Sequence, residues 1–199
     1  MSTYLHDCAG FSSPLRRGGR ECGRKKGRAI NNAKELFVVL LSDLRQGAER
    51  TIKIFNEIGK LAQDRDVKQA LDARVLVSHK ILATLDEAFK LIGATPVKTS
   101  PRIDDAFVED FRRALADIQT PEARRLFILA EASHLVHLRA GDYTALISAA
   151  DVSGHYGVGI LLERCLADKI APGEKTRRLI REHLQSDIAR PASLTARAI

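Results

Sequence analysis

A chain of 199 residues, 45% apolar and 29% charged, is long enough for one globular domain with a real core, and its composition is ordinary for that class. The longest uninterrupted apolar run is LFVVLL at 36–41, far short of the roughly 20 residues that span a bilayer, so no membrane segment is expected. Three unpatterned cysteines argue against a disulfide framework, and no apolar signal segment follows the basic N-terminus, so we predict a cytoplasmic protein.

The net charge of +7 is concentrated near the N-terminus. Residues 1–33 contain seven basic and two acidic residues, a net +5, which leaves +2 for the other 166 residues. We predict that residues 1–30 form a disordered basic tail, because this stretch buries too little apolar surface to offset its ordering entropy. The tail is either a solvated leader, which we favour, or an arm that binds nucleic acid through phosphate charge alone. Its basic residues are Arg16, Arg17, Arg20, Arg24, Lys25, Lys26 and Arg28.

The first half of the remaining chain has the apolar spacing of two long helices. Asn32 and Glu35 form a capping-box-like start, and apolar residues then recur at steps of three and four for nearly thirty residues. The pattern restarts at Val67 after QDRD and stops at Gly93. The segment GATPVKTSP at 93–101 is typical of a loop.

The second half predicts a short helix over about 103–118 and two further long segments. Thr120-Pro121 is a start signal for a helix that we expect to continue to about Val152. A last segment begins near His155 and is interrupted at 171–173, where APG must end or kink a helix. No stretch alternates with period two. We therefore predict an all-α, ferritin-like antiparallel four-helix bundle over 31–190, with a short crossover helix between helices 2 and 3 and a C-terminal tail at 191–199.

Several motifs resemble those of the YciE/YciF-like ferritin-like family, over about residues 35–185. The first predicted helix has Ala48-Glu49-Arg50, and the second ends in Phe-x-x-x-Gly at 89–93. The stretch HLVHLRAGDYTALISAADVSG at 134–154 and LLERCLADK at 161–169 are similar to the family's third and fourth helices. The resemblance implies a bacterial stress-associated bundle, without a well-established activity, that forms dimers.

Ferritin-like di-metal sites take a carboxylate from each of two helices and a Glu-x-x-His from each of the other two. In the resemblance, Glu49 matches the first-helix ligand and His79 the second-helix histidine, but Leu76 stands where its glutamate is expected. In the third helix Val136 and Arg139 stand where glutamates are expected on either side of His137, and Arg139 would repel a divalent cation. We therefore predict a degenerate metal centre and no cofactor.

A replacement metal site is the alternative. Glu131 and His134 are themselves a Glu-x-x-His pair, which with other candidates could hold one ion of iron, manganese or zinc. The competing interpretation, which we favour, places His134 on the outer face and makes His79 and His137 core histidines that bond Glu49 or a tyrosine. The full set of candidate ligands is Glu49, His79, Glu131, His134, His137 and Asp168.

No nucleophile elbow, dinucleotide fingerprint or phosphate loop is present, and Cys165 lies on an apolar stripe where burial is expected. The absence of these motifs predicts a non-catalytic protein, and the resemblance implies a homodimer with a stress-related structural or interaction role. The alternatives are a metal-binding oxidase or storage protein, and nucleic-acid association through residues 1–30.

Overall fold

The computed structural model describes residues 30–100 and 102–189, with side chains described as far as residue 185. The predictions for the basic tail, including its seven basic residues, and for the C-terminal tail at 191–199 lie outside the described residues.

Seven helices and no strand are found in the described residues: α1 Ala33–Leu61, α2 Arg65–Leu91, α3 Arg102–Asp117, α4 Pro121–Leu138, α5 Ala140–Val152, α6 Tyr156–Ile170 and α7 Gly173–Ala189. They form four long segments, which are α1, α2, α4 with α5, and α6 with α7. Helix α1 packs along α2, α2 and α5 pack on α6, α4 packs on α7, and the crossover helix α3 touches α1 and α4. The predicted all-α bundle with a crossover helix between its second and third segments is confirmed.

The helices begin at the predicted signals. Asn32 Oδ1 accepts a hydrogen bond from the Glu35 backbone N–H at 2.9 Å, and Glu35 Oε2 accepts one from the Asn31 backbone N–H at 3.0 Å. The hydroxyl of Thr120 caps α4 by accepting from the Ala123 backbone N–H, with Pro121 as the first helical residue. Each cap satisfies backbone donors that the first turn leaves unpaired. Helix α2 ends before Gly93, whose φ of +62° suits glycine.

The third long segment differs from the prediction. We expected one helix from Pro121 to about Val152, but α4 ends at Leu138 and α5 begins at Ala140. Arg139 is the interrupting residue, with φ −98° and ψ −7°, and its side chain is buried in the bundle. The break in the fourth segment at 171–172 is where the sequence placed it.

Two apolar clusters form the core. One contains Ile54, Leu71, Phe111, Leu129 and Leu179 among others, from α1, α2, α3, α4 and α7. The other contains Leu41, Leu85, Leu146, Leu162 and Cys165 among others, from α1, α2, α5 and α6. No helix among residues 30–100 and 102–189 is both long and apolar enough to cross a membrane.

Candidate functional site

Buried polar side chains separate the two apolar clusters. On α2, for example, one cluster ends at Leu71 and the other begins at Ile81, with Arg74 and Ser78 buried between them. The same gap occurs on the other long segments, and the crossover helix adds one carboxylate. We call this set the polar layer: Thr51, Arg74, Ser78, Asp104, Arg139, Lys169 and Thr176.

Arg139 is the centre of the ion pairs in the polar layer. Its side chain is 4% exposed, and Nη2 donates to Asp104 Oδ2 at 2.8 Å. Nη1 donates to Asp43 Oδ2 at 2.8 Å and to Asp142 Oδ2 at 3.2 Å. Burial alone would lower the pKa of Arg139, but the hydrogen bonds and negative charges of Asp43 and Asp104 raise it above its ordinary value. Arg139 is therefore a permanent cation that joins α1, α3 and α5.

Asp104 lies in the first turn of α3 and is 1% exposed. Its Oδ2 accepts from Arg139 and also from Arg50 Nη1 at 2.8 Å. A buried carboxylate is tolerated only when it is paired and hydrogen-bonded, and two guanidinium groups provide that here. The pair fixes the start of the crossover helix against the bundle.

Gly47 allows the guanidinium of Arg139 to approach α1. A Cβ atom at this position would lie 3.2 Å from Arg139 Cζ, tighter than ordinary van der Waals contact. Gly47 in α1 and the break after α4 therefore both accommodate the side chain of Arg139.

Arg74 and Lys169 complete the set of buried cations. Arg74 Nη2 donates to Thr176 Oγ1 at 2.6 Å, and its guanidinium lies 5.9 Å from the centroid of the Phe55 ring. Burial lowers the pKa of Arg74 to about 10. Burial, and then the positive charges of Arg139 and Arg74, lower the pKa of Lys169 to about 8. Neither side chain forms an ion pair with a carboxylate of the described residues.

The carboxylates predicted as metal ligands are engaged elsewhere. Glu49 Oε1 accepts from Arg45 Nη1 at 2.7 Å, and Asp168 Oδ2 pairs with Lys80 Nζ at 2.8 Å. Glu131 and His134 do meet, at 3.3 Å between Oε2 and Nδ1, with His134 on the exposed surface. Among the residues that the structure describes, no three His, Cys, Asp or Glu side chains are grouped so as to hold a metal ion. These side chains do not fit the ferritin-like di-metal centre that the family resemblance implies.

The interpretation of His79 and His137 as core histidines is wrong, because both are exposed. Ser78 faces the interior, and successive helical residues are rotated by about 100°, so His79 points outward. Leu76, one turn earlier, is 72% exposed, so this i, i+3 pair is on the outer face and not on a metal-facing one. His137 bonds its own helix, with Nδ1 2.8 Å from the Ser133 carbonyl oxygen.

Cys165 is buried as predicted, and burial raises the pKa of its thiol to about 11. Our sequence reasoning missed Arg74 and gave Lys169 no role, although both interrupt apolar stripes. Arg74 follows Val67, Ala70 and Leu71 at helical spacing, and Lys169 follows Val158, Leu162 and Cys165 at steps of four, three and four. A cation at such a position is the signal that could have found the polar layer.

Two solved structures have the same fold. The E. coli stress protein YciF superposes with a TM-score of 0.73 at 16% identity, over 78% of this chain and 99% of that one. YcfI from Rhodopseudomonas palustris, described as "a putative structural protein", superposes with a TM-score of 0.71 at 23% identity, over 75% of this chain and 96% of that one. No curated protein matches the sequence. The family described as a domain of unknown function (DUF892) matches residues 32–189, and the chain belongs to that family.

Proposed function

We propose that this chain is a non-catalytic, cytoplasmic protein with a structural or interaction role in the bacterial stress response, and that ion pairs around Arg139 replace a di-metal centre. The observation that carries the proposal is the buried Arg139 guanidinium in contact with Asp43, Asp104 and Asp142. The stress-related role rests on the names of the structural neighbours, a stress protein and a protein described as structural.

The charges around Arg139 support a metal-independent bundle. Asp43, Asp104 and Asp142 are the carboxylates around Arg139, and Arg139 and Arg50 are their counterions. In a di-metal bundle two divalent ions neutralise the interior carboxylates. Here the Arg139 guanidinium neutralises the interior carboxylate of Asp104 with a directed hydrogen bond, and its charge repels a divalent ion at short range.

Metal content of the purified, tag-free protein tests the proposal. Cells are grown with added iron, manganese and zinc, and bound metal is measured by elemental mass spectrometry. We expect far less than one equivalent, and a melting temperature that a chelator does not change. One or two equivalents, retained in Arg139→Met and lost in a Glu131→Gln, His134→Gln double variant, would instead favour the metal-binding oxidase or storage alternative.

We further propose a homodimer formed through the end of the bundle where α2 ends and α6 begins. Leu91, Val152, Tyr156 and Ile160 are large apolar residues exposed at this end. Sedimentation should give a dimer for the natural chain and a monomer for a Tyr156→Ser, Ile160→Ser variant. Leu76→Ser is the matched control, because Leu76 is equally exposed but lies about 22 Å away along α2.

Nucleic-acid association remains a second candidate, on the strength of the seven basic residues in 1–30. It requires binding that weakens steeply with salt, by roughly 0.9 log units per decade of salt for each phosphate contact. Binding that persists after deletion of residues 1–30, or that is insensitive to salt, would refute this candidate.

A further inference from the structure

Arg74 and Lys169 line the same small cavity in the polar layer. Phe55, Val77, Ile81, Val136 and Pro172 are among its other lining residues, and its volume is about 10 Å³. A site of this size holds one particle about as large as a water molecule. Both cations are nearly inaccessible to solvent, with Arg74 3% exposed and Lys169 7% exposed.

The hydrogen bonds of Arg74 are incomplete. Nη2 is satisfied by Thr176, but Nη1 is buried and has no hydrogen-bond partner among the described residues. No carboxylate of the described residues forms an ion pair with Arg74 or with Lys169, although Asp104 and Asp142 exert a weak attraction on the latter. A buried donor without an acceptor, and a buried charge without a counterion, are both costly.

Three arrangements could relieve this cost: loss of a proton, a bound water molecule or a bound small anion. Arg74 keeps its proton at neutral pH, so loss of a proton does not remove its charge. A water molecule could accept from Nη1, but it would leave both positive charges without a counterion between apolar walls. A small anion would satisfy the donor and also neutralise charge, which makes it the only one of these partners that does both.

We propose that this cavity binds one monovalent inorganic anion of the halide class, held between the Arg74 guanidinium and the Lys169 ammonium. Its volume excludes polyatomic anions such as sulfate, phosphate and carboxylates. The lining of the cavity includes neither Arg139 and its carboxylates nor Glu131 and His134, so this site can be tested separately from metal binding.

Thermal unfolding of the full chain at constant ionic strength is the first test. Chloride should raise the melting temperature in a saturable manner relative to gluconate, because a ligand that binds the folded state alone stabilises it by mass action. Lys169→Met should weaken chloride binding by about tenfold or more, the expected loss of one charge-assisted hydrogen bond. Lys90→Met, which removes an exposed lysine of α2, should leave the chloride effect unchanged.

Crystals of the natural chain grown or soaked in bromide give a test that needs no variant. An anomalous peak in the cavity between Arg74 and Lys169 would support the proposal. A particle without anomalous signal at that place, which is the behaviour of water, would overturn it. A chloride effect of equal size in Lys169→Met and in the natural chain would also overturn it, because the stabilisation would then arise elsewhere.

Discussion

Replacing Arg139 by methionine tests the central feature of the fold, a buried cation that holds three carboxylates. Methionine fills much of the same space without charge or donors. Asp104, whose side chain is 2% exposed, would keep only Arg50 as its counterion. Removing one partner of a buried ion pair costs about 3–5 kcal/mol, and the remaining Arg50 contact places this case near the lower limit.

The other two contacts add less. The side chains of Asp43 and Asp142 are 30% and 46% exposed, so water screens their pairs with Arg139. Partly exposed pairs contribute about 0.2–1 kcal/mol each. We therefore expect Arg139→Met to lower the free energy of unfolding by about 3–4 kcal/mol.

Urea denaturation followed by far-UV circular dichroism measures this loss, with the m-value as a check that Arg139→Met and the natural chain unfold in the same way. Arg113→Met is the matched control, because it removes an exposed arginine whose pair with Glu109 is worth about 0.5 kcal/mol or less. A double-mutant cycle with Asp104→Asn isolates the charge pair. A loss below about 1 kcal/mol, or strictly additive effects of the two substitutions, would refute the reasoning.

Three further predictions concern individual residues. In chloride-free buffer, the free energy of unfolding should rise as pH increases from about 8 to 10.5, because burial lowers the pKa of Lys169 to about 8 and the unfolded chain binds more protons in that range. Denaturant titrations of Lys169→Met should lack this rise with pH. An identical pH profile for the variant and the natural chain would contradict the prediction. Gly59→Ala should raise the free energy of unfolding by up to about 1 kcal/mol through helix propensity. Gly47→Ala should raise it clearly less, because the added Cβ displaces the Arg139 guanidinium. Equal increases in denaturant titrations would contradict the close approach of Arg139 to Gly47. In a variant with Cys165 as its one cysteine, alkylation of the thiol at pH 8 should be roughly a hundredfold slower in the folded state than in the unfolded state. Equal rates would show that the thiol is accessible.

Local signals predicted most of the fold. The Asn32–Glu35 capping box, the Thr120-Pro121 start and the interruption at 171–173 each act within one helical turn, so the sequence around them is sufficient. The break at Arg139 was not predicted for the opposite reason. Its partners Asp43 and Asp104 are 96 and 35 residues away, and only the folded chain brings them together.

The site was predicted less well, because family motifs direct attention to particular residue types. His79 was considered for its imidazole, yet the interior position on α2 belongs to Ser78 beside it. A shift of one residue on a helix moves a side chain by about 100° and exchanges inside for outside. The apolar stripe itself, interrupted by Arg74, was the more reliable guide.

The position of the polar layer, between two apolar clusters, gives it a role in fixing how the helices align. Sliding one long segment by a single turn, about 5.4 Å, would separate Arg139 from its carboxylates, or would move Arg74 or Lys169 out of the polar layer into a cluster of leucines. Buried ion pairs often add little net stability, but such a penalty selects one register among several that apolar packing alone would allow. Replacing all the charged residues of the polar layer by apolar ones should therefore cost little stability, but the NMR spectrum of the variant should show several sets of amide resonances, one for each helix register. A single sharp set of resonances would show that the apolar clusters fix the register by themselves.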